Sequence, residues 1–199
     1  MHPDIRAQLI FFTTFAFAFV SWGLASRSVW SELRLRPKVD ALRPLLILHS
    51  FRFMGLAFLI PGVVSPDLPA AFAKPTAYGD FIAAVLALIA LYLLPKKWGI
   101  AAVWLFNLWG TADLLDAFFQ GNQSGLKAGE LGAMYFIPTV LVPLALITHG
   151  MVFRILVGRA NGVMIESNEM VPASLGITAS ESHNGDAYFP FTSNEEGPR

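Results

Sequence analysis

The sequence predicts an all-α membrane protein: a bundle of five transmembrane helices with a short interfacial helix and a polar C-terminal tail. Of its 199 residues, 55% are hydrophobic and only 14% are charged, whereas soluble domains carry about 25% charged residues. The mean hydropathy is +0.55, and 17 residues are phenylalanine. Such a composition suits a chain whose solvent is the hydrocarbon of a lipid bilayer.

Five apolar runs supply the predicted spans, at about residues 9–25, 45–64, 80–95, 99–120 and 133–157. Each approaches the ~20 residues that a spanning helix needs, although the third is short. Proline and glycine are frequent between the runs, which is typical of turns. The proline-rich segment 65–79 is therefore predicted to be a loop outside the membrane.

The first run could also be a cleaved signal peptide, because residues 23–25 resemble a cleavage site. Cleavage there would leave the five basic residues of segment 26–44 outside, against the positive-inside rule. We therefore expect a retained helix. After it, Val29, Trp30 and Leu33 share one helical face, which predicts the short helix in the cytoplasmic interface.

Basic residues are distributed unevenly between the two sets of connecting segments. One set carries nine of them: Arg27, Arg34, Arg36, Lys38, Arg43, Lys96, Lys97, Arg154 and Arg159. The other set carries three: Arg6, Lys74 and Lys127. The positive-inside rule then places the amino terminus outside and the carboxyl terminus in the cytoplasm.

Segment 158–199 forms the polar tail, and its many Ser, Asn, Gly, Pro and acidic residues cannot build a core. It is predicted to be disordered unless a partner, such as another membrane subunit, binds it. The formal net charge of zero gives no reason to expect nucleic acid as a partner. The absence of cysteine excludes disulfides, thiol catalysis and thiolate metal sites.

Arg52 stands inside an apolar run, where its charge costs ~3 kcal/mol or more at mid-bilayer and calls for partners. A helical rise of ~1.5 Å per residue places Arg52, Asn107 and His149 at one level, ~12 Å from the cytoplasmic side. His49 lies one turn nearer the cytoplasm, and Arg52 can reach toward Asp113. These five residues are predicted to form a ligand or ion site, and no catalytic residue is predicted.

Each of these polar residues also has a purely structural interpretation. Arg52 could form an ion pair, the two histidines could be satisfied core residues, and Asn107 could join helices by hydrogen bonding. Asp80 and Asp116 are expected at the headgroup boundary, where they cap or end helices.

Two further expectations concern helix packing and cavities. Gly110 should allow another helix to approach closely, and Pro138 and Pro143 should kink the fifth span beside a cavity.

The stretch 49–55, followed by Leu68-Pro69 and Gly79-Asp80, resembles small polytopic bacterial membrane proteins of unassigned function. Their pattern is a His-x-x-Arg helix, a proline-containing outer loop with Phe-Ala, and Gly-Asp opening the next helix. Phe72-Ala73 fits this pattern, whereas 76–78 departs from the small residues expected before Gly-Asp. The resemblance covers about residues 45–157 and implies a bacterial inner membrane and no known activity.

The main functional prediction is a non-enzymatic integral membrane protein, either an accessory subunit of a membrane complex or a small-ligand-binding bundle. One alternative is transport of a proton or a small anion, using histidine and Arg52. A second is a lipid-modifying enzyme with histidine as base and aspartate as its partner. A third is a bis-histidine haem protein with His49 and His149 as axial ligands, the only metal site that the sequence suggests.

Overall fold

The computed structural model of the chain describes residues 3–158, which form helices and contain no β-strand. The five long helices are α1 (Pro3–Leu33), α2 (Lys38–Ser50), α3 (Ala70–Leu93), α4 (Gly99–Gln123) and α5 (Val142–Val157). Shorter segments are 3₁₀-helices at Phe51–Leu59 and Ala128–Tyr135 and a π-helical turn at Ile137–Leu141. Beyond Gly158, the predicted tail lies outside the described residues.

Four helical stretches are long and apolar enough to cross a membrane: Asp4–Leu33, Lys38–Leu59, Ala70–Leu93 and Ile137–Val157. Helix α4 is also long enough, with 25 residues. Its mean hydropathy is lower because it carries Asn107, Asp113 and Asp116. The predicted all-helical architecture is confirmed for the described residues, and four of the five predicted spans match an apolar helix.

Helix α1 is longer than the first predicted span, and it absorbs the predicted interfacial helix. It has 31 residues and continues without a break through Val29 and Trp30 to Leu33. The prediction of a separate short helix is wrong, because residues 26–33 contain neither proline nor glycine to interrupt the hydrogen-bonding pattern. The chain turns only before Pro37, which is the N-cap of α2.

Helix α3 begins at Ala70, well before the predicted run 80–95. Residues 70–73 are mostly alanine, the strongest helix former. Pro75 lies inside the helix, where it removes one backbone hydrogen bond. The predicted loop 65–79 is therefore wrong beyond Pro69, and Asp80 lies in the middle of α3 rather than at its start.

Large apolar side chains fill the end of the bundle where α2 begins and α5 ends. Leu42, Leu46, Val103, Phe106 and Val152 are all completely buried there. Helix α3 contributes the small residues Ala87 and Ala90 to the same cluster, which allows its neighbours to approach closely. This apolar core borders the polar site, since the Phe106 ring centroid lies 5.1 Å from that of His49.

The change from α-helix to 3₁₀-helix after Ser50 directs Arg52 into the bundle. A 3₁₀-helix has three residues per turn, so side chains at positions i and i+3 eclipse one another. Arg52, Gly55 and Phe58 therefore share one face, and Gly55 and Phe58 are buried. Arg52 follows them inward, and its side chain is only 7% exposed.

Candidate functional site

Arg52 is the centre of a buried ion cluster formed with Asp80 of α3 and Asp113 of α4. Its Nε donates to Asp80 Oδ1 at 2.8 Å, and its Nη2 lies 2.6 Å from that oxygen and 2.5 Å from Asp113 Oδ2. Its Nη1 donates to the Gly110 carbonyl at 3.1 Å and lies 3.4 Å from His149 Nε2. Because a guanidinium has five N–H donors, these contacts can engage all of them.

The two histidines extend this cluster toward the apolar core. His149 Nδ1 lies 2.7 Å from Asn107 Oδ1. Since its Nε2 faces a guanidinium donor, we assign a neutral ring with the proton on Nδ1. His49 Nε2 lies 3.0 Å from Thr148 Oγ1, and the two imidazole centroids are 4.1 Å apart.

The five residues predicted for the site are thus neighbours in one connected cluster: His49, Arg52, Asn107, Asp113 and His149. The predicted common level of Arg52, Asn107 and His149 agrees with these contacts. That the residues bind a ligand or an ion stays a prediction.

Asp80 is the member of the cluster that sequence reasoning missed. Its expected role in capping or ending a helix is wrong, because it lies in the middle of α3 and its side chain, 10% exposed, contacts Arg52. A helix that starts at Ala70 places Asp80 ~15 Å along its axis, at a depth where it can meet Arg52. Knowing where α3 starts would have placed Asp80 beside Arg52, but the prolines of segment 65–79 predicted a loop there instead of a helix. Asp116, by contrast, is exposed.

Three glycines make room for the buried charges. A Cβ atom on Gly110 would lie 2.6 Å from His149 Cε1 and 2.9 Å from Arg52 Nη1. A Cβ on Gly79 would collide with the Asp113 carboxylate, and one on Gly55 would collide with that of Asp80. The close approach predicted for Gly110 is confirmed, and glycine at all three positions is a packing requirement of the cluster.

A cavity of about 400 Å³ adjoins the cluster on the side away from the apolar core. Asp80 and Asp113 both line it, and so do Gln8, near the start of α1, and Asn122, near the end of α4. Five phenylalanines form much of the remaining wall: Phe11, Phe12, Phe58, Phe72 and Phe118. Pro138, one of the two prolines expected to border a cavity, also lines it.

Thr76 supplies an unusual polar group to this cavity. The residue is 8% exposed and lines the cavity, and its hydroxyl has no hydrogen-bond partner among the described residues. Helical threonines commonly bond to the carbonyl four residues earlier, as Thr111 and Thr139 do here at 2.7 Å. The Thr76 hydroxyl does not, so a buried donor and acceptor is left at the cavity wall.

The geometry does not fit a haem between the two histidines. Their rings lie against each other, and the Phe106 ring centroid is 5.3 Å from that of His149. No space for a macrocycle separates them, and the ring nitrogens face Thr148, Asn107 and Arg52. Within residues 3–158, no group of three or more His, Cys, Asp or Glu side chains is arranged to hold a metal ion.

Fold and site together define a helical bundle with a buried ion cluster and an adjoining aromatic cavity. The chain belongs to the family described as "Domain of unknown function (DUF8737)", which it matches over residues 10–157. This range contains every residue of the cluster and most of the cavity lining. No curated protein and no solved structure matches the chain.

Proposed function

We propose that this protein is an integral membrane protein of the bacterial inner membrane with five spanning helices. The apolar character of its exposed surface supports this proposal. Large apolar residues on the outside of four helices are about half or more exposed, among them Phe17, Ile47, Leu88 and Leu105. Continuous apolar surface of this kind is rare on soluble monomers, and lipid would cover it.

Helix α4 is proposed as the fifth span although it carries three polar residues. Asn107 is completely buried inside the bundle, and Asp113 is paired with Arg52. Asp116 is the exposed one, and it lies ~10 Å from the end of α4, within reach of the headgroup region. The polar side chains of α4 therefore add little to the cost of placing it in a bilayer.

The proposed orientation has the amino terminus outside and the carboxyl terminus in the cytoplasm. Basic residues gather at one end of the bundle, which is typical of a cytoplasmic face. There, Lys38 Nζ donates to the carbonyls of Leu156 at 3.2 Å and Gly158 at 2.9 Å, which neutralises the carboxyl end of α5. The Arg154 guanidinium lies 4.1 Å from the Trp30 ring centroid, at an expected interface position.

Single cysteines test this orientation directly, because the natural chain has none. We expect Ser65→Cys to react with a membrane-impermeant maleimide added to spheroplasts. We expect Ser31→Cys to react only after the membrane is opened. The reverse pattern would contradict the proposed orientation, and labelling of both before lysis would contradict the five-span arrangement.

Within this bundle, the proposed function is non-enzymatic binding of a small ligand in the cavity. The observation that carries it is a cavity of about 400 Å³ with aromatic walls and the charged cluster at its inner end. Ligand sites combine an apolar lining with a few convergent polar groups in this way, and typical volumes are ~300–1,000 Å³. The cavity lies in the outer half of the bundle, so the ligand would enter from the outer side or the outer leaflet.

The same geometry argues against the other predicted functions. A small anion would meet two carboxylates, with Arg52 already engaged by both. A conduit would have to continue past His49 through the apolar core around Leu46, which is completely buried. A histidine base for an enzyme would need to reach the ligand, but neither histidine lines the cavity of about 400 Å³. His49 lines only a smaller pocket of about 100 Å³. The remaining prediction, an accessory subunit held through the tail 158–199, concerns residues outside the described range.

Filling the cavity tests the ligand-binding function. Ala117→Trp inserts an indole from α4 into the cavity, whereas Leu115→Trp adds the same side chain at a position that is 59% exposed. We expect the wild type and Leu115→Trp to retain a bound small molecule in native mass spectra after gentle solubilisation. Ala117→Trp should lose it. Equal retention by all three proteins would refute ligand binding in this cavity.

A further inference from the structure

We propose that the ligand is a small organic ammonium ion, with its charged nitrogen against Asp80 and Asp113 and its apolar part among the phenylalanines. This inference rests on the proposed ligand-binding function and names the chemical class of the ligand. It differs from the transport alternative raised by the sequence, in which Arg52 would meet a small anion.

The charges of the cluster favour a cation. With neutral imidazoles, one guanidinium faces two carboxylates, so the ionised cluster carries one negative charge in excess. Arg52 contacts Oδ1 of Asp80 and Oδ2 of Asp113, one oxygen of each residue. Because each guanidinium nitrogen already contacts a protein acceptor, the cluster has little donor capacity for an anion but retains acceptor capacity for a cation.

Thr76 lies one helical turn before Asp80 on α3. Its buried hydroxyl has no partner within the described part of the chain, and an unpaired buried polar group is unfavourable. An ammonium group has several N–H donors, one of which this oxygen can accept while others bond to the carboxylates. A bound ammonium ion would therefore satisfy the hydroxyl and balance the charge together.

The aromatic wall of the cavity also suits an organic cation. Phenylalanine faces attract organic cations, more strongly where water is excluded, and they also cover an apolar body. An inorganic cation is less suited to the cavity, because it prefers a shell of oxygen ligands. Asp80, Asp113 and Thr76 supply few such ligands, and the wall opposite them is largely apolar.

Matched amines and alcohols test the charge of the ligand. The probes are 2-phenylethylamine, cyclohexylamine and hexylamine, each compared with the alcohol of the same carbon frame, at neutral pH. Full-length protein in lipid nanodiscs is dialysed against each probe, with empty nanodiscs as the blank. At least one amine should bind about tenfold or more tightly than its alcohol, as expected for charge-assisted hydrogen bonds.

Variants then assign this preference to the cluster. Asp113→Asn leaves one guanidinium facing one carboxylate, and it should abolish most of the amine preference while alcohol binding is retained. Asp80→Asn is the second variant. In both Asp variants, the binding of alcohols shows whether the cavity is intact. Thr76→Val, which keeps the shape but removes the hydroxyl, should weaken amine binding only. Asp116→Asn, on the exposed side of α4, is the matched control and should bind like the wild type.

The possible failures are distinguishable. Every alcohol binding as tightly as its amine would overturn the ammonium inference, and it would indicate that a proton on one of the two carboxyl groups already balances the cluster. If Ala117→Trp then abolishes both kinds of binding, the ligand-binding function stands. If no probe binds the wild type, the ammonium inference is also overturned. If Ala117→Trp changes neither probe binding nor the native mass spectrum, the proposed function fails as well. An amine preference that persists in both Asp variants would overturn the assignment to this cluster.

Discussion

Replacing Arg52 with glutamine should destabilise the bundle more than any substitution on its surface. The guanidinium side chain is 7% exposed and holds two carboxylates that are each 10% exposed. Glutamine is shorter and uncharged, so Arg52→Gln leaves Asp80 and Asp113 facing each other without a cation. The backbone carbonyl of Gly110 loses its donor as well.

The magnitude of this destabilisation can be worked out from the contact distances. At 2.5 Å and 2.6 Å, each carboxylate attracts the guanidinium by about 6.5 kcal/mol at an effective dielectric constant of ~20, before desolvation is counted. Desolvation offsets much of this attraction, and removing one partner of a buried ion pair typically costs about 3–5 kcal/mol. We expect a loss of that size in the free energy of unfolding.

Denaturation by sodium dodecyl sulfate in mixed micelles, followed by tryptophan fluorescence, measures this loss. Arg34→Gln is the control, because Arg34 is exposed and its charge is solvated; its effect should stay within about 1 kcal/mol. If Arg52→Gln unfolds with the same free energy as the control, Arg52 does not hold the carboxylates as argued, and the role of the ion cluster in stability is refuted.

Three further predictions use the same unfolding measurement. Asp80→Asn and Asp113→Asn should each lower the free energy of unfolding by less than about 1.5 kcal/mol, because one carboxylate still balances Arg52. The double variant should lose about 3–5 kcal/mol. A single variant as damaging as the double would contradict this charge balance. Gly79→Ala should lower the free energy of unfolding by about 1–3 kcal/mol, because the new Cβ would meet the Asp113 carboxylate. Gly23→Ala is its control: nothing lies within 4 Å of a Cβ there, so it should be neutral or stabilise by up to about 1 kcal/mol. Asn107→Leu should cost about 1–3 kcal/mol, since it leaves a buried imidazole N–H without its acceptor, and an unchanged stability would argue against the assigned tautomer.

Much of the helical architecture was predictable, because a bilayer, in which these apolar runs are proposed to lie, leaves their backbone groups few ways other than a helix to form hydrogen bonds. The runs 99–120 and 133–157 correspond closely to α4 and to the helical stretch ending at Val157. Helix boundaries were less predictable. Prolines near the start of α3 and a polar segment at the end of α1 both suggested breaks, and the backbone continues through them.

The candidate site was predictable in its membership but not in its charge. Equal helical depth correctly grouped Arg52, Asn107 and His149, since depth follows from a constant rise per residue. Asp80 was misplaced because its depth depends on where α3 begins. A site counted without Asp80 has Arg52 as its fixed positive charge. With Asp80 included, the cluster has two carboxylates for one guanidinium.

Composition and spacing alone determined that this chain forms apolar helices and that their few polar residues occupy similar depths. Both properties depend on residues close in sequence, through backbone hydrogen bonding and the regular rise of a helix. Only the tertiary structure decided which carboxylates meet Arg52, that Thr76 lacks a partner among the described residues, and that a cavity adjoins them. These depend on the distances between helices, at which glycines at positions 55, 79 and 110 leave room for the buried charged side chains.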